Sequence, residues 1–203
     1  MGSSYNTENE RIDMNKKRWT ILLFAIFILA VIFIYQYYMS NYTNEGIADK
    51  VLNQDGYTVT LRSEHIPVEI FVKPEWITFN VNDPMKQDIR VAELHNSNLL
   101  LDVLNRGSDI YFTFRIAFNM ENPSGVFIYN GIFHEDGIST YTSANVRLFD
   151  KNMKEFSVGQ TGVGPGASFS FGIDPEEQKL IREGFYVKYD DFNVYNYVKD
   201  SDL

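Results

Sequence analysis

The first forty residues contain two contrasting patterns. Residues 1–18 are largely polar, whereas residues 19–35 contain no charged residue, no Gly and no Pro. Only Thr20 interrupts the apolar run, so polar residues do not recur with the period of an amphipathic helix. A 17-residue helix measures about 26 Å, and residues 36–39 extend it toward the thickness of a bilayer core. The pattern predicts a transmembrane helix over residues 19–39.

The charges beside this apolar run predict its orientation. Lys16, Lys17 and Arg18 precede the run, and the next basic residue is Lys50. Because basic residues favour the cytoplasmic side, residues 1–18 are predicted to be a cytoplasmic, disordered tail and the rest of the chain to be extracellular. Aromatic residues at the two ends of the run are predicted to anchor it at the bilayer surfaces: Trp19, Tyr35, Tyr37 and Tyr38.

The apolar run could also be a signal peptide that is removed. Cleavage requires small residues at the −3 and −1 positions, and the run is followed by Tyr-Gln-Tyr-Tyr-Met-Ser. An uncleaved signal anchor is therefore favoured, which makes the protein a single-pass protein of the cell membrane with the lipid bilayer as one partner. Residues 40–56 are predicted to be a connector, in which residues 44–53 could form one or two helical turns.

From Tyr57 onward, apolar and polar residues alternate, as in strands with one buried face. Residues 98–105 fit either a strand or a two-turn helix; a strand is favoured because residues 110–118 would close a hairpin with it. Asp174 and Pro175 are typical of a helix start and Gly184 of its end, so one short helix is predicted there. Strands are predicted at 57–62, 68–72, 77–81, 89–94, 110–118, 126–129, 139–149, 156–158, 168–171, 185–189 and 193–198.

Many short strands separated by turns predict an all-β, antiparallel sandwich over residues 57–198, followed by a polar tail at 199–203. Within it, residues 145–171 contain the turn Phe149-Asp150-Lys151-Asn152 and the pair Pro165-Gly166 before a strand. This stretch resembles the end of immunoglobulin-like domains of the FxLYD kind on bacterial surfaces. The resemblance implies an immunoglobulin-like sandwich that is used for interaction, and it implies no catalytic residue.

Charge and cysteine content narrow the class of partner. The tail accounts for four basic and three acidic residues, which leaves 14 basic and 24 acidic residues and a net charge of −10 for the remainder. Such a field repels phosphate backbones, so nucleic acid is not expected as a partner. The chain has no Cys, which fits an extracytoplasmic domain of a bacterium that does not rely on disulfides.

The sequence offers little for catalysis or metal binding. His134-Glu135-Asp136 places three possible ligands in a row, but neighbouring residues of a strand point to opposite faces. Residues 159–166 are rich in Gly, yet a strand pattern follows where a phosphate cradle needs a helix, so a wide, bulged loop is predicted. We predict no catalytic residue, no metal site and no cofactor.

The aromatic residues are the remaining candidates for a binding site. They can belong to the core of an ordinary β-sheet, or they can form an exposed face that stacks on sugar rings or packs on a protein. The second interpretation predicts this binding surface: Trp76, Tyr111, Tyr129, Tyr141, Tyr186, Tyr189, Tyr195 and Tyr197.

Three functions fit these observations. The favoured one is a membrane-anchored module that binds a membrane or envelope protein as an accessory, sensor or assembly factor. The alternative is a module that binds cell-wall glycan or another carbohydrate, and an anchored hydrolase ranks last.

Overall fold

The computed structural model describes residues 4–134, 137–140, 144–164 and 168–200. The first helix, α1, covers Ser4–Tyr42, so the prediction that residues 1–18 are disordered is wrong for residues 4–18. Those residues contain no Gly or Pro, and a helix that is already formed gains one hydrogen bond for each residue added. Within α1, Trp19–Tyr42 is long and apolar enough to cross a membrane, and its apolar side chains are exposed.

A second helix, α2, covers Asn44–Leu52, where one or two helical turns were predicted. The side chains of Ile47, Ala48 and Val51 are buried in the hydrophobic core of the β domain. The predicted connector at 40–56 is therefore wrong as a separate segment. Its first residues continue α1, and α2 belongs to the folded domain because its apolar face has a core to cover.

The rest of the described chain contains twelve strands and two short 3-10 turns, joined by loops. The turns are Pro74–Trp76 and Gln178–Ile181. In chain order the strands are β1 (Tyr57–Val72), β2 (Lys86–Leu94), β3 (Ser97–Asn105), β4 (Ile110–Phe118), β5 (Ser124–Tyr129), β6 (Gly131–His134), β7 (Gly137–Thr140), β8 (Val146–Asp150), β9 (Glu155–Phe156), β10 (Thr161–Gly164), β11 (Ser168–Ile173) and β12 (Phe185–Lys199).

The strands form two five-stranded antiparallel sheets and one hairpin. Sheet A has the order β1-β12-β8-β9, with β5 also paired to β12; sheet B has the order β10-β11-β4-β3-β2; β6 pairs with β7. Strand β12 lies inside sheet A, with β1 on one side along its length and β8 and β5 on the other. The prediction of an all-β, antiparallel domain is confirmed.

Aromatic rings join the two sheets. Phe169 of β11 stacks on Tyr189 of β12 with 3.9 Å between ring centroids, and Phe112 of β4 meets Phe185 of β12 at 5.2 Å. These four rings are fully buried. Because the paired rings come from opposite sheets, the sheets pack face to face, and the aromatic side chains form the centre of the core.

Several predicted elements differ in detail. Residues 98–105 are a strand that closes a hairpin with β4, as favoured above. Residues 77–81 are not a strand; the Thr78 carbonyl accepts a hydrogen bond from the Asn105 side chain instead of a neighbouring strand. Residues 161–164, predicted as a loop, pair with β11.

The predicted short helix at 174–184 is also wrong. That segment forms only the 3-10 turn at Gln178–Ile181, closed by a bond from the Gly184 N–H to the Ile181 carbonyl. A helix of only two turns is not stable unless it buries a larger apolar face, and this turn buries only Ile181.

Candidate functional site: the two ends of sheet A

One end of the β domain is attached to the end of α1 and the start of α2 by hydrogen bonds that come mostly from neutral groups. The Asn122 amide donates to the Asn41 carbonyl at 2.7 Å, and the Asn44 amide donates to the Asn119 side-chain oxygen at 2.7 Å. The Lys50 ammonium donates to the Asn41 side-chain oxygen at 2.7 Å. We call residues 41–46 together with Asn119 and Asn122 the joint. The first bond connects the end of α1, and the second the start of α2, to a loop 75 or more residues later in the chain.

The turn between α1 and α2 is tight. The Thr43 hydroxyl donates to the Met39 carbonyl at 2.6 Å and accepts from the Gly46 N–H at 3.1 Å, so one side chain both ends α1 and caps α2. A Cβ atom at Gly46 would collide with the Met39 carbonyl oxygen and would lie 2.8 Å from the Ser40 Cα atom. The close approach of the two helices therefore requires glycine at this position.

Two buried tyrosines fix the loop of the joint to sheet A. The Tyr57 hydroxyl donates to the Asn122 side-chain oxygen, and the Tyr197 hydroxyl accepts from the Glu121 N–H at 2.9 Å and lies 3.0 Å from the Glu121 carbonyl, to which it donates. Burial, and secondarily the nearby Tyr197, raises the pKa of Tyr57. The two tyrosines belong to β1 and β12, so continuous contacts lead from α1 to these two paired strands of sheet A.

At the other end of sheet A, three aromatic side chains lie in register on the outer surface. Phe71 pairs across the strands with Tyr186, and Tyr186 pairs with Phe149. The rings of Phe71 and Tyr186 are 4.8 Å apart, and Phe71 is 37% exposed while the other two are half-buried. We call these three residues the aromatic row. A Cβ atom at Gly184 would collide with the Phe71 ring, so glycine there makes room for that ring.

Ion pairs border the aromatic row. Lys188 pairs with Glu69 at 2.8 Å, Arg147 pairs with Asp190 at 3.0 Å, and Lys151 pairs with Glu183. The Lys188 ammonium also lies 5.0 Å from the centre of the Phe149 ring. Each of these three positive charges has a negative partner, and the exposed Glu155, which lies opposite Phe149 on β9, adds one more carboxylate to this face.

Sheet B carries further ion pairs, and in two of them the carboxylate, that of Asp109 or of Asp102, is buried. Arg106 donates two hydrogen bonds to the Asp109 carboxylate in the turn between β3 and β4. Its guanidinium group lies 3.9 Å from the centre of the Tyr111 ring. The hydrogen bond from Arg106 outweighs burial and lowers the pKa of Asp109. This turn is at the end of β3 opposite the one near the joint, where the Asn119 N–H donates to the Asn96 carbonyl.

The second pair joins neighbouring strands in the middle of sheet B. Arg115 of β4 donates to the Asp102 carboxylate of β3 at 2.8 Å and to Asp88 of β2 at 2.6 Å. Burial would raise the pKa of Asp102, but hydrogen bonds from Arg115 and from the Asp88 N–H lower it overall. These carboxylates are therefore occupied in holding the sheet together.

The structure divides the predicted aromatic surface. Four of its members are buried and are wrong as surface residues: Tyr129, Tyr189, Tyr195 and Tyr197 are each 5% exposed or less. Tyr189 stacks on Phe169 of the opposite sheet, and Tyr129 and Tyr195 contact Phe133 of the β6–β7 hairpin. Tyr197 packs against the rings of Tyr57 and Phe127 within sheet A. Alternation along a strand reveals two faces, but the packing of other elements decides which face is covered.

The other predicted members do not form one surface. Tyr186 belongs to the aromatic row; Tyr111 lies on the outer face of sheet B and its hydroxyl is 2.6 Å from that of Ser170. Trp76 packs against the core, with the Lys73 ammonium 5.1 Å from its ring. Tyr141 lies outside the described residues. The predicted anchors Trp19, Tyr35, Tyr37 and Tyr38 are exposed along α1.

Sequence reasoning missed two members of the aromatic row. Phe71 lies between the inward-facing Ile70 and Val72, and Phe149 follows the inward-facing Leu148. Both are therefore aromatic residues on the polar side of an alternating strand. That position was visible in the sequence as a departure from the pattern.

Among the described residues, no three His, Asp or Glu side chains are grouped closely enough to hold a metal ion. Glu135, Asp136, Pro165 and Gly166 lie outside those residues. Comparisons with protein-family models, with curated proteins and with solved structures find no match.

Proposed function

We propose that this protein is a membrane-anchored binding module that recognises a neighbouring membrane or envelope protein. Its N-terminal tail lies in the cytoplasm, Trp19–Tyr42 crosses the cell membrane, and the β domain is held outside the cell. The exposed apolar surface of α1 supports the anchor, because such a surface needs a hydrocarbon environment. The basic residues Lys16, Lys17 and Arg18 support the orientation.

The joint is the observation that carries this proposal. A module that searches for distant ligands gains from a flexible tether, which lets it sample a large volume. Here the end of α1 is bonded to Asn122 and the start of α2 to Asn119. The loop that holds both residues is bonded to sheet A through Tyr57 and Tyr197. The domain is thereby held in one orientation relative to the helix. Such an arrangement favours a partner that is itself fixed in the membrane or next to it.

An inserted linker tests this proposal. Eight Gly and Ser residues between Tyr42 and Thr43 would free the domain while leaving the Thr43 cap of α2 in place. The same insert between Asn82 and Asp83, in an exposed turn, is the matched control. Tagged full-length variants are cross-linked in native membranes and the captured proteins are identified by mass spectrometry.

We expect the joint insert to reduce recovery of the partner at least tenfold and the control insert to leave it unchanged. Equal recovery from both variants would contradict the proposal that a fixed orientation is needed. Replacing α1 by an unrelated span separates recognition by the helix from recognition by the β domain.

A second function, glycan binding, is favoured by the aromatic row. Three rings in register on the outer face of sheet A provide apolar surface of the kind that stacks on sugar rings. The test is co-sedimentation of the detergent-solubilised protein with purified cell wall, comparing the double variant Phe71→Ala/Tyr186→Ala with Val198→Ala, an exposed residue at the other end of β12. Loss of sedimentation in the double variant alone would favour glycan over protein as the ligand.

We also infer that the sandwich is immunoglobulin-like and that the protein acts without catalysis. Support for the first inference comes from the two face-to-face sheets and from the tight turn at Asp150, whose carboxylate accepts bonds from the Asn152 and Lys154 N–H groups. The pattern resembles the FxLYD kind of surface domain. Support for the second comes from the carboxylates in sheet B, which are engaged in structural ion pairs.

A further inference from the structure

We propose that the loop at residues 119–123 lies in the lipid headgroup layer, so that the β domain as well as α1 contacts the outer leaflet. This inference rests on the proposed function, because it requires α1 to cross the membrane. Nothing in the apolar run of α1 by itself implies that the β domain contacts lipid. What places the loop there is the height at which the joint holds it.

The length of α1 sets that height. Residues 19–38 make about 30 Å of helix, which matches the hydrocarbon core of a bilayer. Asn41 is three residues further along, or about 5 Å above the core, and each headgroup layer is roughly 5–7 Å thick. The Asn122 amide is 2.7 Å from the Asn41 carbonyl, so the loop is at the same level. A tilted helix would place it closer to the hydrocarbon.

The side chains at this level suit a headgroup layer. Residues 36–46 and 119–123 contain several amides and tyrosines, and their only charged residues are Glu45 and Glu121. Tyr38 and Tyr42 stack with 5.8 Å between their ring centroids. Tyrosines are enriched at the level of the lipid headgroups. The Lys50 ammonium is brought to the same level by its bond to Asn41 and offsets one of the two carboxylates.

The exposure of the loop completes the argument. Glu121, Asn122 and Pro123 are exposed although the loop is bonded to the domain on one side and to α1 on the other. Their free side therefore faces outward at the level of the headgroups. A domain of net charge −10 would be repelled by anionic lipids, and a largely neutral end reduces that repulsion.

Single labelled cysteines can test this position, because the chain has no cysteine of its own. The full-length variants Glu121→Cys, Asn152→Cys and Ala30→Cys are labelled with a small fluorophore and placed in phosphatidylcholine nanodiscs. Asn152 is exposed in the turn at the opposite end of sheet A, and Ala30 lies in the apolar run. The discs contain lipid with a nitroxide either on the headgroup or on the acyl chain. Circular dichroism confirms that each variant is folded.

We expect the headgroup nitroxide to quench the label at 121 at least threefold more than the label at 152. Equal quenching at 121 and 152 would overturn the inference. The label at 30 separates this outcome from a failure of the proposed function: strong quenching there by the acyl-chain nitroxide shows that α1 is in the bilayer. Weak quenching at 30 would overturn the membrane anchor itself, and the inference with it.

Discussion

The two ends of the β domain are held together by different chemistry. At the joint, neutral amides and hydroxyls supply most of the bonds, as between Asn44 and Asn119 or Tyr57 and Asn122. At the far end, which comprises the turn at residues 106–109 and the parts of β1, β8 and β12 around the aromatic row, ion pairs prevail. Examples are Arg106–Asp109, Lys151–Glu183 and Lys188–Glu69.

The difference matters because the surroundings of the two ends differ in the proposed arrangement. Exposed ion pairs are weakened by salt and by competing charges, whereas neutral hydrogen bonds are affected little. Lipid phosphates and ammonium groups would compete with ion pairs at the membrane surface. Neutral bonds therefore suit the end beside the bilayer, and ion pairs suit the end in solution.

The largest expected effect on stability comes from a larger side chain at Gly46 in the joint. Gly46→Val should destabilise the joint by about 2 kcal/mol, because its side chain would collide with the backbone of α1. Hydrogen exchange at residues 41–46 and 119–122 should then accelerate about 30-fold, with the far end unchanged. Gly162→Ala is the control, since its Cβ atom would come no closer than 3.2 Å to another atom, the Ser170 hydroxyl oxygen, and lies in sheet B away from the joint. Unchanged exchange in the Gly46 variant would show that the joint is not tightly packed.

A smaller effect is expected from the buried ion pair of the far end. Asp109→Asn should cost about 1.5 kcal/mol at pH 7, because it weakens charge-assisted bonds to Arg106. The folded state lowers the pKa of Asp109, so its contribution to stability is fully present above the ordinary carboxyl pKa of about 4 and is lost as the pH falls through the folded-state value. The variant should therefore lose less stability than the native chain as the pH falls below about 4.

Thermal unfolding of the full-length protein in detergent measures this difference at each pH. Glu176→Gln removes an exposed carboxylate outside these ion pairs and is the control. Identical acid profiles for the Asp109 variant and the native chain would contradict a stabilising role for the pair. Asp102, whose pKa is also lowered, should keep part of the acid dependence in both proteins.

The smallest effect is expected from salt. Raising NaCl from about 0.05 M to 1 M should weaken exposed pairs such as Lys151–Glu183 by a few tenths of a kcal/mol. Hydrogen exchange near residues 147–151 and 183–188 should rise about twofold, while exchange at the joint stays constant. A rise of equal size at both ends would remove the distinction between them.

Local sequence patterns predicted much of the architecture. The apolar run identified the long helix, since its composition alone excludes a water-soluble, amphipathic helix. The pattern of β3 and β4 identified a hairpin because its two strands are adjacent in the chain and need no distant information. Pairing between distant strands was not visible: Pro67 suggested that β1 is two strands, yet β12 pairs with it on both sides of that residue, through bulges.

The sites were harder to predict than the strands. Burial of Ile47 and Val51 depends on a core built by residues far along the chain, so α2 looked like part of a linker. The amides of the joint are ordinary surface residues until the fold brings Asn119 and Asn122 to the end of α1. Tyr189 is in phase with the apolar Phe185 and Val187, whereas Tyr186 is in phase with charged residues, so alternation assigns the two tyrosines to opposite faces. Only the packing of sheet B on β12 shows which of these faces is the core.

The central place of β12 has a consequence for the order of folding. Among the described strands, β1 pairs only with β12. Strand β1 therefore cannot pair until residues more than a hundred positions later in the chain have been synthesised. Contacts this distant in sequence close slowly. During synthesis, β3 and β4 can already form their hairpin while β1 presents unpaired backbone groups. Chains that end before Phe185 would leave sheet A open, and we expect quality-control proteases to remove them.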